Sequence, residues 1–160
     1  MEQLTKLGSD EATVVLYLIN QPLWSQQASL SVPTLIEKNG NHWRKICTIF
    51  SKLVTESDWR EYRDQQLLTQ RESICFTEQL EAHAQIHIFS GKESCKRFEQ
   101  IVTELTGTEE HTAIGQGKIT YKKSPTGTLF LFTPYFDSRQ FPNALIAELK
   151  EQLLSAYLVE

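Results

Sequence analysis

Four consecutive apolar residues, Leu129-Phe-Leu-Phe132, constrain this chain more than any other stretch. A run that short, without alternation between apolar and polar side chains, belongs to a strand buried on both faces of a sheet. Thr133-Pro134 ends it, because proline has no N–H to give to a ladder. A polar and aromatic loop follows, carrying Tyr135, Phe136, Asp137, Ser138, Arg139 and Phe141. Pro142-Asn143 then opens a helix in which Leu145, Ile146, Leu149, Leu153, Leu154 and Tyr157 keep helical spacing. A loop between the carboxyl end of a buried parallel strand and a helix is where open α/β sheets place ligands.

The same unit recurs upstream. Residues 13–19 are β-branched and apolar, a central strand running into a loop over 20–25. Residues 73–77 and 85–89 are two further strands. The second passes through Ser90, Gly91 and Lys92 into a helix with Cys95, Phe98, Ile101, Val102 and Leu105 on its apolar face, ended by Gly107. Thr34-x-x-Glu37 after Pro33 has the pattern of a capping box for a short helix ended by Asn39-Gly40. Trp43, Ile46, Phe50, Leu53 and Val54 mark an amphipathic helix over 41–55, and another begins near Asp58. Residues 118–122 alternate and, with a turn over 124–127, form a hairpin-like partner for the strand at Leu129. Residues 1–11 are polar and expected to be loosely held. Strands alternating with helices predict one α/β domain over residues 1–160, a three-layer sandwich around a short, mainly parallel sheet.

Composition bounds the function only from outside. A net charge of −4 gives no global basic footprint for nucleic acid. A local patch stays open: Arg44, Lys45, Lys52, Arg60 and Arg63 form a candidate strip, largely neutralised in sequence by Glu56, Asp58, Glu61 and Asp64. Lys118, Lys122 and Lys123 are a tighter positive cluster. Cys47, Cys75 and Cys95 are odd in number, lack CxxC spacing, and read as reduced thiols of a cytoplasmic protein. No apolar run approaches the ~20 residues of a membrane span, and the first residues carry no signal-peptide pattern. His83, His87 and His111 have no metal-ligand spacing, so neither metal nor cofactor is expected. His87, between Ile86 and Ile88, is a core or half-buried histidine.

The candidate chemistry lies in loops that follow the strands: Leu18-Ile-Asn-Gln-Pro-Leu23, Cys75-Phe-Thr-Glu78, Ile88-Phe-Ser-Gly-Lys92 and Ser138-Arg-Gln-Phe-Pro142. The helix start Gly40-Asn-His-Trp-Arg-Lys45 joins them. In this order the fragments resemble the thymine/mismatch-specific branch of the uracil-DNA glycosylase superfamily. The corresponding motifs there are Gly-Ile-Asn-Pro-Gly-Leu, Gly-Asn-His-Phe-Trp-Lys, Gly-Phe-Thr-Asn, Val-Phe-Asn-Gly-Lys and a serine-rich loop with Ala-Arg and Gln-Phe-Pro. The resemblance runs over roughly residues 13–157.

It implies a uracil-DNA-glycosylase-like fold and a protein that recognises, or excises, a nucleobase flipped out of nucleic acid. Asn20 would hold the attacking water, and Glu78 would take the base-reading position. Asn41 and His42 fall on the family's helix-start motif and are candidate ligand contacts. Arg139, with Ser138, would enter the space left by the flipped base. Ser90, Gly91 and Lys92 would take a phosphate through free N–H groups and the lysine charge. Tyr135 and Phe136, with Phe141, form a base-stacking platform, a loop folded into the core or a partner-binding patch.

Three positions depart from the family pattern. Gln21 stands where a proline follows the asparagine. Glu78 replaces an amide, and an ionised carboxylate only accepts hydrogen bonds. Tyr135, Phe136 and Asp137 replace a small serine loop. These changes touch chemistry more than scaffold. They raise the alternative of a non-catalytic descendant that binds a nucleotide or a protein partner. A small-molecule phosphate-binding enzyme using Ser90, Gly91 and Lys92 is a third expectation.

Overall fold

The computed structural model describes residues 3–158. Its centre is a seven-stranded mixed sheet: β1 (Lys6–Gly8), β2 (Val14–Tyr17), β3 (Glu72–Cys75), β4 (Ile86–Ser90), β5 (Thr112–Ile114), β6 (Ile119–Lys123) and β7 (Leu129–Thr133). The spatial order is β1-β3-β2-β4-β7-β6-β5. β3, β2, β4 and β7 run parallel. β1 pairs antiparallel with β3 at one edge, and β6 and β5 extend the other edge antiparallel. The helices are α1 (Val32–Asn39), α2 (Asn41–Val54), α3 (Trp59–Gln65), α4 (Lys92–Thr106) and α5 (Asn143–Leu149). α5 continues through a π-helical turn, Lys150–Leu154, into a last turn, Ser155–Tyr157. No described helix is long and apolar enough to cross a membrane.

This corrects the expected fold. A short, mainly parallel sheet of uracil-DNA-glycosylase type does not describe seven strands with three parallel and three antiparallel ladders. The physical reason lies at the edges. Lys6-Leu-Gly8 and Thr112-Ala-Ile114 are three residues each, with one and two apolar side chains, too short for their sequences to carry a strand signal. Backbone pairing to longer neighbours makes them strands. Residues 1 and 2 of the segment expected to be loose lie outside the described residues. Beyond them, Leu4 and Leu7 are buried under the sheet edge.

Strand alternation sorts the core by side-chain type. Val14, Leu16, Ile74, Ile86, Ile88, Leu129 and Leu131 face α1, α2, α3 and α5. Tyr17, Phe89, Phe130 and Phe132 point the other way, toward Phe98 and Val102 of α4. Four helices therefore cover an aliphatic face, and α4 alone covers an aromatic one. Helix starts follow ordinary capping chemistry with one shift. Ser31, rather than Thr34, caps α1 by accepting from the Thr34 N–H (3.4 Å), and Pro33 sits in the first turn, where its missing N–H costs nothing. Asp58 caps α3 through the Arg60 N–H at 3.0 Å.

Candidate functional site

The four parallel strands deliver their loops to one edge. Tyr17 leads to Asn20, Cys75 to Glu78, Ser90 to Gly91 and Thr133 to Tyr135. Tyr135 is the hub. Its hydroxyl lies 2.7 Å from His42 Nε2, with the two rings stacked at 5.6 Å. The Asn20 side chain acts on the same phenol to lower its pKa, but burial outweighs it and pushes the pKa up. The ring also lies against Gly91, where an added Cβ would sit 3.0 Å from Tyr135 Cδ1. Gly91 donates its N–H to Thr133 O at 3.0 Å, joining the ends of β4 and β7.

The structure thus brings Asn20, His42, Gly91 and Tyr135 together. Asn20 is exposed, and the Tyr135 ring is half-buried between His42 and Gly91. Phe136 departs from a base-stacking role: it is fully buried, edge-on to Phe50 (6.2 Å) and Phe141 (5.5 Å). Phe136 and Phe141 fold into the core because apolar rings gain more from burial than from water contact, while Tyr135 stays half-buried. Ser90, expected to hold a phosphate, is 3% exposed, and its Oγ accepts from the Phe136 N–H at 3.1 Å. Asn41 is spent on Arg44, whose Nη1 donates to its Oδ1 at 2.9 Å. Glu78 is exposed and, among the described residues, has no hydrogen bond or ion pair. Ser138 and Arg139 are exposed on the outer loop, where the Arg139 N–H donates to Asp137 Oδ1 at 3.3 Å.

An open groove lies on the far side of Tyr135, with a volume of about 680 Å³. Gly91, Lys92, Cys95 and Lys96 of the α4 start form one wall, and Lys118 and Thr120 of β6 and its preceding turn form another. Phe132, Pro134 and Tyr135 make its floor, with His111 and Gln140 at the rim. α4 is capped by a glycine that offers no side-chain hydrogen bond, so its first-turn N–H groups have no partner from the cap. Among the described residues, none of the Lys92, Lys96 and Lys118 ammonium groups has a carboxylate within ion-pair distance. Glu99 is the one carboxylate in the wall. His111 packs on Phe132 with ring centres 4.9 Å apart, and burial, then Lys122, hold its pKa below the usual histidine value. Burial pushes the Cys95 thiol up to about 11, and its Sγ–H points to the Phe89 carbonyl, so it is not a nucleophile near neutral pH.

Of the sequence candidates, Gly91, Lys92 and Tyr135 line this groove. Lys96, His111, Lys118 and Gln140 were not singled out for it. Lys118 carried a signal, as part of a basic cluster, but Lys122 of that cluster turns inward and donates to the Gly107 carbonyl. Nothing in sequence brings Lys96 and Lys118 to one cleft; only the packing of α4 over β4 and β7, with β6 paired to β7, does. Among the described residues, no group of three or more His, Cys, Asp or Glu side chains could hold a metal ion.

No curated protein matches the chain. A family model does, DUF6942, a family of unknown function, over residues 5–154. That span takes in every strand, the helices through the π-helical turn, and both the Tyr135 hub and the lysine-lined groove, and the chain belongs to the DUF6942 family.

Proposed function

We propose that this protein is a nucleotide-binding module, and that the groove between α4 and β6 takes the nucleotide. One observation carries the reading: three unpaired lysines and a glycine-capped helix start converge on a cleft floored by aromatic rings. The phosphate goes to the Gly91–Lys92 turn, where backbone N–H groups, the helix dipole and Lys92 favour an anion. Lys96 and Lys118 add charge from either side. The base lies against Phe132 and Tyr135, with neutral His111 and the Gln140 amide able to hydrogen-bond its polar edge. Excision of a base is the weaker reading, since Glu78, which can only accept when ionised, stands at the base-reading position and Phe136 is buried. A cytoplasmic setting belongs to the proposal and agrees with three free thiols.

Calorimetric titration of the full chain with 5′-nucleoside monophosphates at low salt tests it. Binding is expected, weakened roughly tenfold by Lys96→Glu and by Lys118→Glu. Both positions are on the surface, so the melting temperature should stay unchanged. Undiminished binding in both variants, or none in the parent, contradicts the proposal. In parallel, duplexes carrying uracil or mismatched thymine should survive incubation intact; abasic sites that vanish in Asn20→Ala would favour excision instead.

A further inference from the structure

A second cavity, of about 510 Å³, shares no lining residue with the first. It lies between α2, α3 and the start of α5. Arg44, Lys45 and Lys52 of α2 and Arg63 of α3 provide its charged wall, and Ile49 and Phe141 are among its apolar lining. In sequence this strip looked neutralised by nearby acids, but the structure turns most of them elsewhere. Glu56 engages Lys150 and Ser155. Asp58 caps α3. Glu61 is exposed and outside the cavity wall. Only Asp64, on Arg63 at 2.9 Å, and Asp137, on Lys45 at 3.6 Å, offset the charge.

The remaining cations are held together without acid partners. Arg44 bonds the Asn41 amide, and Lys52 donates to Asn143 Oδ1 at 2.8 Å. The Trp59 indole gathers three positive groups: Arg60 Cζ at 4.5 Å, Lys52 Nζ at 4.8 Å and Arg63 Cζ at 5.5 Å from its centroid. The ring quadrupole offsets part of their mutual repulsion but adds no negative charge. Burial and Arg60 together hold the Lys52 pKa below its ordinary value. Arg44 and Lys45 also sit in the opening of α2, which has no acidic residue in its first turn. Cations there oppose the helix dipole. Four lining cations, Arg44, Lys45, Lys52 and Arg63, against the two carboxylates paired with them leave an excess of two positive charges about one cavity.

We propose that this cavity binds a chain of two or three linked phosphates, free or as the tail of a nucleoside polyphosphate. The Arg44 guanidinium, bonded through Nη1 alone, keeps donors for phosphate oxygens, Lys45 and Lys52 supply point charge, and Arg63 is held by Asp64 and Thr48 at the wall. Four cations spread along the wall suit a chain of linked phosphates better than a single phosphate, and the volume exceeds what one phosphate fills. Trp59 is already in contact with cations, so the phosphate chain, rather than a stacked base, is the part recognised.

Titration with inorganic tripolyphosphate, ATP and AMP, following the fluorescence of Trp59, which lines this cavity and not the first groove, tests this. Tripolyphosphate should bind, AMP roughly tenfold or more weakly, and both Lys52→Glu and Arg44→Glu should weaken tripolyphosphate by about tenfold. The fluorescence change should be missing in Trp59→Phe. ATP tighter than tripolyphosphate would identify a nucleoside polyphosphate as the source, and equal affinity a free polyphosphate; both support the site. Lys118→Glu, in the first groove, should leave tripolyphosphate binding intact, so the two sites fail or succeed separately. No tripolyphosphate binding at low salt, binding indifferent to both Lys52→Glu and Arg44→Glu, or AMP binding as tightly as tripolyphosphate would overturn the proposal.

Discussion

Among the buried polar residues, His87 is held by a complete hydrogen-bond chain, whereas the buried Ser51 and Ser73 hydroxyls have no partner among the described residues. The Glu81 N–H donates to the Tyr17 hydroxyl at 3.0 Å, and that hydroxyl lies 2.8 Å from His87 Nδ1. Nε2 faces the Ala84 carbonyl at 3.1 Å. A carbonyl can only accept, so Nε2 carries the proton and Nδ1 accepts from Tyr17. The ring is therefore neutral, and burial lowers its pKa to about 4. An unfolded chain would titrate near 6.5, so between those values the unfolded state binds the extra proton and acid favours it. Stability should be full above about pH 6.5 and fall by roughly 2 kcal/mol between pH 7 and pH 5. Urea denaturation across that range checks this, and His87→Gln should flatten the dependence. At the site, Gly91 has φ +88° and ψ 162°, a region almost closed to other residues. Gly91→Ala should cost about 1–3 kcal/mol and displace Tyr135, which chemical denaturation and the Tyr135 ring resonances would both report.

Among the elements, α4 carries the heaviest structural duty, because it covers the aromatic face alone. Phe98 packs on Tyr17 at 4.7 Å and on Phe89 at 4.8 Å, and Ser94 Oγ donates to the Tyr17 carbonyl at 2.8 Å. Phe98→Ala should cost about 3–5 kcal/mol, seen as a lowered urea midpoint. Elements of this kind were legible in sequence. The apolar spacing of Phe98 and Val102, the glycine at 107, and the doubly buried runs at 14–17 and 129–132 all state their own structure locally. The edge strands did not. Lys6-Leu-Gly8 and Thr112-Ala-Ile114 acquire strand geometry from their neighbours, and missing them turned a mixed sheet into an expected parallel one. The helix at Val32 was displaced by three residues because Thr34 and Glu37 mimic a capping box that Ser31 fills.

At the scale of the molecule, function depends on which loops the sheet order brings together. Sequence could nominate Asn20, His42, Gly91 and Tyr135 because each follows a strand or opens a helix, and parallel pairing of β3, β2, β4 and β7 sends those loops to one edge. Side-chain packing was not legible in the same way. Phe136 turns inward, Ser90 Oγ is taken by a backbone N–H, and Tyr135 leans on Gly91 and His42 while lining the lysine-bearing groove. The basic strip on α2 and α3 was discounted because sequence distance stood in for spatial distance, whereas capping and the Lys150 contact draw Asp58 and Glu56 away. The most direct measurement is a titration of ¹⁵N-labelled protein with a nucleoside monophosphate, following backbone amide resonances. The account predicts saturable shifts concentrated at Gly91, Lys92, Lys96, Gly117 and Lys118. Shifts confined to other surfaces, or no shifts at saturating nucleotide, would contradict it.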